Sequence, residues 1–289
     1  MIIDSHAHYY HRAFHGEFQY LEGRDDGFAI REGNLEGMVA EMDRQGIRMW
    51  IEPSIELERI DAQLALAQRF DSRVRLALGV HPQHCTMENW QQRHRLEEYI
   101  ARTPMVAVGE TGFDFHRDPS QWDGTAQKLW FEYQIGLAHQ LDLPLILHIR
   151  QAHEEAMAVL RQHRSMLHGG VAHCFGGDHR EAMDLVDLGF TLGIGGRLLQ
   201  EEPALADAVA RVPLEALLVE TDAPYVLPSA GLKKKEKNKI RNSSLILPSV
   251  LREIARLRDT DVETVEKAVL ENTCRVFRLT EGELYGTEE

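Results

Sequence analysis

The chain begins with Met1-Ile2-Ile3-Asp4-Ser5-His6-Ala7-His8, an apolar run of strand length that leads directly into two histidines. Side chains alternate along a strand, so His6 and His8 are predicted to point to the same face. Two imidazoles at a rigid strand end can bind one metal ion from adjacent positions. An isolated His-x-His pair can also be accidental in a chain with 15 histidines, so this interpretation depends on how the later strands end.

Short apolar runs and amphipathic segments alternate along the rest of the chain. Further strands are predicted at residues 49–51, 76–80, 105–108, 143–147, 170–172, 190–194 and 217–219. Helices are predicted at residues 35–45, 60–70, 88–102, 125–141, 151–163, 178–188, 203–212, 245–257 and 262–271. The strands are apolar throughout, as expected when helices cover both faces of a parallel sheet. The pattern predicts an α/β protein, a (β/α)8 TIM barrel with its site at the C-terminal ends of the strands.

A doubly wound open sheet is the alternative fold. It is less favoured because no Gly-x-Gly-x-x-Gly phosphate loop follows the first strand. No internal repeat, linker or change in composition divides the chain, so residues 1–289 are predicted to form a single domain.

Composition narrows the class of protein. Of the 289 residues, 43% are hydrophobic, which is enough to build a sizeable core. A net charge of −14 argues against a broad basic surface for nucleic acid, although metal ions and a local basic patch can still hold a phosphate. Cys85, Cys174 and Cys274 form no disulfide framework and no Cys-x-x-Cys site. With no apolar run of membrane-spanning length, the protein is predicted to be cytoplasmic and not membrane-bound.

Most of the predicted strands end in a residue that can bind a metal ion. These residues are His6, His8, His81, Glu110, His148, His173 and Asp222. The C-terminal ends of barrel strands meet on one face, so the set is predicted to converge there. Imidazole and carboxylate ligands without thiolate suit zinc, manganese or magnesium. The number of ligands suggests two divalent metal ions bridged by a carboxylate, which together activate a water for hydrolysis.

Six motifs in order resemble those of the TatD family of metal-dependent deoxyribonucleases, in the amidohydrolase superfamily. They are His6-Ala7-His8, Gly79-Val80-His81-Pro82, Gly109-Glu110-Thr111-Gly112-Phe113-Asp114, Leu147-His148-Ile149-Arg150, Ala172-His173-Cys174-Phe175-Gly176-Gly177 and Glu220-Thr221-Asp222-Ala223-Pro224-Tyr225. The resemblance extends to Asn272–Leu279, which is similar to the family's closing Asn-x-x-Arg-x-Phe segment. It implies a TIM barrel of the metallo-dependent hydrolase type.

The resemblance also implies a role for each residue of the site. His6, His8, Glu110 and Asp222 would hold one ion, and Glu110 would bridge to a second ion held by His148 and His173. Asp222 would also orient or deprotonate the attacking water, which makes Asp222 and Glu110 the catalytic pair. The resemblance places His81 and Arg150 near the substrate phosphate, with a structural role as the alternative for each.

Two segments depart from the family pattern. Residues 9–34 show no regular helical or strand-like spacing of apolar residues and are predicted to form a long loop over the mouth of the site. His11 and His15 in this loop are predicted to be surface histidines rather than ligands. The basic run Lys233–Lys239 extends the loop after the eighth strand. It is either a solvated loop or a local grip on nucleic-acid phosphates. Both segments are also candidate contacts for protein partners.

The predicted function is therefore a divalent-metal-dependent deoxyribonuclease that hydrolyses phosphodiester bonds at DNA ends or in single strands. A hydrolase of a small cyclic amide, ester or lactone is the alternative within the superfamily. Those relatives often bridge their metals with a modified lysine, whereas the fourth strand here ends in Glu110, which favours a nuclease. A metal-binding scaffold protein is the third alternative, disfavoured because the six metal ligands that the resemblance implies are all present.

Overall fold

A single parallel sheet of eight strands organises the molecule. The computed structural model describes residues 1–116, 118, 120, 122–200, 202–228 and 238–285, without the side chains of Glu281 and Tyr285. The eight strands, in spatial order, are β1 (Ile2–Asp4), β4 (Ile47–Pro53), β5 (Val74–Leu78), β6 (Ala107–Asp114), β7 (Leu145–Arg150), β8 (Gly170–Ala172), β9 (Phe190–Ile194) and β10 (Leu217–Val219).

Backbone hydrogen bonds bring the first and last strands of this sheet together. Ser5 N donates to Val219 O at 3.0 Å, and Asp222 N donates to His6 O at 2.9 Å. The residues that follow β1 and β10 therefore lie side by side. The predicted (β/α)8 barrel is confirmed.

Helices follow the strands and cover the outside of the barrel. They are α1 (Leu35–Arg44), α2 (Ile60–Arg69), α3 (Met87–Trp90), α4 (His94–Ile100), α5 (Gly124–Leu141), α6 (His153–Gln162), α7 (His179–Val186), α8 (Pro203–Arg211), α9 (Leu247–Leu257), α10 (Val262–Phe277) and α11 (Glu281–Tyr285). The helix predicted at 88–102 is two short helices, and a Thr86–Asn89 capping box begins the first of them. Within the described part of the chain, no helix has both the length and the apolar character needed to cross a membrane.

The prediction of a long loop at residues 9–34 is wrong for its second half. Phe18–Arg24 (β2) and Gly27–Gly33 (β3) form an antiparallel hairpin, and Ile240–Arg241 (β11) pairs in parallel with β2. The hairpin packs beside the barrel, where Ser243 Oγ donates to Leu21 O at 2.6 Å. In the first half, His11, Arg12 and Ala13 line a cavity together with Tyr225. Of the basic run, residues 233–237 lie outside the described part of the chain.

The interior of the barrel is filled at the end opposite the predicted site. A layer of buried side chains comes from nearly every strand: Ile3, Met49, Ile51, Ala77, Ala107, Ile146, Val171 and Leu218. Val276 and Phe277 of α10 and the following Leu279 pack against this layer. The barrel is therefore a packed core below and an open cup of polar residues above.

Candidate metal centre

Glu110, in strand β6, lies at the centre of the cup with both carboxylate oxygens facing histidines. Its Oε1 lies 3.2 Å from His8 Nε2 and 3.4 Å from His6 Nε2. Its Oε2 lies 2.8 Å from His173 Nε2 and 3.5 Å from His148 Nδ1. One carboxylate thus separates two pairs of imidazoles, as the predicted bridging role requires.

Asp222 completes the side of the cup on which the first strand ends. Its Oδ1 lies 3.4 Å from His8 Nε2 and 3.8 Å from His6 Nε2, and the two Nε2 atoms are 3.1 Å apart. The structure therefore brings together all six residues predicted to bind metal, although they come from five different strand ends.

Three groups of donor atoms in the cup could hold a cation. They are His6 with His8 and Asp222, His6 with Glu110 and His173, and His81 with Asp114 and His148. Among the described residues, Glu110 Oε1 is buried without a hydrogen-bond partner. A buried carboxylate oxygen without a hydrogen bond, surrounded by imidazole nitrogens, is an environment that a divalent cation satisfies. The residues present fit the metal ions that the family resemblance implies.

The backbone around the cup holds the first two histidines in place. His8 Nδ1 lies 3.2 Å from Pro53 O, so it carries the proton and leaves Nε2 free to bind a cation. Asp4 accepts hydrogen bonds from His6 N at 3.1 Å and from Thr221 Oγ1 at 2.6 Å. This buried carboxylate ties the His6 segment to the Asp222 segment.

The charges in the cup are mutually stabilised. Burial disfavours the ionised form of Glu110, but His173 and His6 hold its pKa well below the usual range. Burial opposes ionisation of Asp222 as well, and the hydrogen bond with His8 lowers its pKa. Burial would lower the pKa of His173, yet Glu110 and Glu220 raise it to about 10.

Two carboxylates beside the metal ligands were missed as individual residues. Asp114 Oδ2 lies 3.0 Å from His148 Nε2, and Glu220 Oε1 lies 3.7 Å from His173 Nδ1. Both are buried. Both lie at the end of a strand and within one of the six motifs that resemble the family. Glu110 and Asp222 were selected as metal-binding residue types at strand ends, and the same criterion would also have selected these two residues.

The predicted substrate contacts occupy different environments. His81 is buried, with Nε2 3.0 Å from His148 Nδ1, and therefore lies within the ring of donors. Arg150 is exposed at the end of β7, and no carboxylate of the described residues pairs with it. His11 is partly buried and His15 is exposed, and neither belongs to the donor groups found among these residues.

Comparison with known proteins identifies the family that this chain matches. The family model described as "TatD related DNase" matches residues 3–278. The chain belongs to the TatD-related DNase family. A 3′-5′ ssDNA/RNA exonuclease TatD from Edwardsiella piscicida is 34% identical over 264 residues, which cover 88% of this chain and 99% of that protein. The protein of the same name from Yersinia pseudotuberculosis is 36% identical over 208 residues, 70% of this chain and 76% of that protein.

Solved structures agree with this assignment. A TatD homologue from Escherichia coli K12 has a TM-score of 0.79 at 28% identity, covering 96% of this chain and 98% of that one. A TatD-family hydrolase from Entamoeba histolytica has a TM-score of 0.77 at 20% identity, covering 95% of this chain and 97% of that one, and shows the shared fold alone. The predicted family, the TIM barrel and the metal-dependent nuclease function are confirmed. The alternative function, hydrolysis of a small molecule, is supported only by similarity to distant amidohydrolases. One of these has a TM-score of 0.58 at 13% identity.

Proposed function

We propose that this protein is a divalent-metal-dependent exonuclease that hydrolyses phosphodiester bonds at the ends of single-stranded nucleic acid, DNA in particular. The observation that carries the proposal is the position of Glu110 between the His6–His8 pair and the His148–His173 pair. The curated relatives named as 3′-5′ ssDNA/RNA exonucleases support the choice of bond and of substrate.

We assign the ligands to two cation positions. His6, His8 and Asp222 would hold the first ion, His148 and His173 the second, and Glu110 would contribute to both. When bound, divalent ions lower the pKa of a water and offset the negative charge that develops on the phosphate. Zinc, manganese and magnesium all accept this mixture of imidazole and carboxylate.

Asp222 is the better placed of the two acidic residues to take a proton from the attacking water. Its side chain is 15% exposed, whereas that of Glu110 is 2% exposed and enclosed by histidines. Its lowered pKa keeps it ionised at neutral pH and able to accept that proton.

Arg150 and His81 are proposed to hold the phosphate from the side of the fifth barrel strand. The exposed guanidinium of Arg150 is free to form a forked hydrogen bond with phosphate oxygens. Burial and the neighbouring His148 lower the pKa of His81 well below its ordinary value, so it acts as a neutral donor rather than a cation.

The test is cleavage of 3′- and 5′-labelled single- and double-stranded DNA, and of RNA, with Mg²⁺, Mn²⁺ or Zn²⁺ and with chelator. Cleavage should need metal and shorten single strands from one end. Asp222→Asn should lower the rate by about 10²–10⁴-fold, and Glu110→Ala should abolish cleavage. Asp207→Asn, an exposed carboxylate paired with Arg211, is the matched control and should cleave like wild type. A wild-type protein that binds metal but cleaves no nucleic acid would contradict the proposal.

A further inference from the structure

A separate cavity opens beside the metal centre, where the first and eighth barrel strands meet. Its volume is about 660 Å³, within the range of roughly 300–1,000 Å³ typical of small-molecule sites. The side chains that matter for its chemistry are those of His11, Arg12, Tyr225 and Arg241. None of them belongs to the donor groups found among the described residues.

Tyr225 connects this cavity to the metal centre. It follows Asp222 by three positions, and its ring centroid lies 6.3 Å from that of His8 and 5.8 Å from that of His11. The residue is 46% exposed, and it is one of four exposed large hydrophobic residues among those described. An exposed aromatic face next to a nuclease centre is a stacking platform for a base.

Two arginines give the cavity its charge. Arg12 is exposed, and Arg241 is partly buried, with Nε 3.4 Å from Ala13 O and Nη1 3.3 Å from Asn238 O. In the part of the chain that the structure describes, neither guanidinium forms an ion pair with a carboxylate. Arginines elsewhere do so, as Arg197 does with Glu202 at 2.7 Å. Two guanidiniums that face one cavity without an acidic partner, in a chain of net charge −14, favour an anionic ligand.

We propose that this cavity binds the nucleotide next to the bond that is cut, with its base stacked on Tyr225 and its phosphate held by Arg12 and Arg241. The inference rests on the proposed nuclease function and adds a subsite to it. Arg150 ends the fifth strand in the barrel order, across the mouth from the first and eighth strands. A single strand that extends from Arg150 to Arg12 and Arg241 passes over Glu110.

The two arginines lie outside the eight-stranded sheet. Arg12 lies in the first connection, and Arg241 belongs to β11, which pairs with strand β2 of the hairpin. The pairing of Ile240 with Gln19 and of Arg241 with Tyr20 holds the second arginine at the mouth. The hairpin therefore has a role in substrate binding through the position of β11.

The test is equilibrium binding of a short labelled single-stranded DNA, in chelator so that it is not cut, measured by fluorescence anisotropy over a salt series. Arg12→Ala and Arg241→Ala should each weaken binding about tenfold at low salt. Each should also reduce the slope of log K against log salt by about 0.7, the value for one phosphate contact on a single strand. Arg164→Ala, an exposed arginine far from the mouth that donates to Asp187 O, is the control.

Stacking is tested with strands that carry one abasic nucleotide at successive positions. At one position, loss of the base should weaken wild-type binding about tenfold and leave Tyr225→Ala binding unchanged. Tyr225→Phe keeps the ring and should behave like wild type. If Arg12→Ala, Arg241→Ala and Tyr225→Ala all bind like Arg164→Ala, the subsite does not exist.

Hydrolysis of bis(4-nitrophenyl) phosphate in the presence of metal tests the proposed phosphodiesterase activity separately from the proposed subsite. This small diester has no neighbouring nucleotide to place in the cavity, so the three variants should hydrolyse it like wild type while their KM for the single strand rises. A wild type that cleaves neither substrate would refute the nuclease proposal, and the binding experiment would still decide the subsite.

Discussion

A neighbouring carboxylate orients the imidazole of His148, one of the proposed metal ligands. Its Nε2 lies 3.0 Å from Asp114 Oδ2, while Nδ1 faces Glu110 and His173. A carboxylate on one ring nitrogen sets the tautomer and orientation of the imidazole and raises the basicity of the other nitrogen. Asp114 is itself held by the backbone N–H of His116 at 2.9 Å. Asp114 therefore positions His148, a ligand of the proposed second cation site.

We expect Asp114→Asn to weaken binding at that site by about 10–100-fold, because the amide cannot supply the same charge to His148. Isothermal titration with Mn²⁺ or Zn²⁺ measures this affinity. The first site, built on His6, His8 and Asp222, should keep its affinity. Asp207→Asn serves as the control, and equal affinities in the two variants would show that Asp114 has no such role.

At the scale of elements, the pairing of β6 with β7 sets the distance between Glu110 and His148. Gly112 of β6 is paired with His148 of β7 and has a φ of +134°, a conformation that favours glycine. A Cβ at this position would lie 2.2 Å from His148 O, too close for any real side chain. The second glycine of the Gly-Glu-Thr-Gly motif is therefore required by the close approach of two ligand-bearing strands.

Gly112→Ala should destabilise the protein by about 2–4 kcal/mol, since it combines backbone strain with a clash inside the sheet. Urea unfolding gives the change in free energy, and the same variant should lose nuclease activity because His148 must move. Gly136→Ala is the matched control. Gly136 lies in α5 with open space around it, and alanine there should stabilise the protein by about 0.5–1 kcal/mol.

At the scale of the whole molecule, the centre joins parts of the chain that are remote in sequence. His6 and Asp222 are separated by most of the chain, yet Asp222 N donates to His6 O at 2.9 Å. A cation bound by both therefore links the start of the barrel to its end. Metal binding should stabilise the folded state as a whole, because the unfolded chain does not hold these ligands together.

We expect a divalent ion at about 100 times its Kd to stabilise the protein by about 2.7 kcal/mol, seen as a rise in Tm of several degrees. Differential scanning fluorimetry with and without chelator measures it. Glu110→Ala should lose most of this rise, and Arg164→Ala should keep it. The same rise in Glu110→Ala would show that the metal binds elsewhere.

The rise in Tm should shrink as the pH falls from 8 to 6. The pKa of His8 and that of His173, at about 10, are raised because Glu110 and other carboxylates outweigh the effect of burial. A cation binds only the neutral imidazole, so it must displace these protons, and this becomes harder at lower pH. Proton release on metal binding, measured by calorimetry in buffers of different ionisation enthalpy, checks the sign.

The convergence of the polar residues in the cup was predictable because the strand ends of a parallel barrel all meet on one side. Strands were visible as apolar runs, and the C-terminal ends of all strands in such a barrel face the same side. His6, Glu110 and Asp222 could therefore be placed together without any knowledge of distances. The hairpin was missed because β3 is exposed on both faces for most of its length, so it carries no alternation of apolar and polar residues.

The sequence by itself determined the barrel, the family and the residues that line the cup, because each of these follows from local periodicity or from motifs of a few residues. Only the tertiary structure set Asp114 behind His148 and formed a cavity lined by Arg12, Tyr225 and Arg241. Those arrangements depend on contacts between segments far apart in the chain. No local pattern encodes such contacts, since they form only when the whole barrel closes.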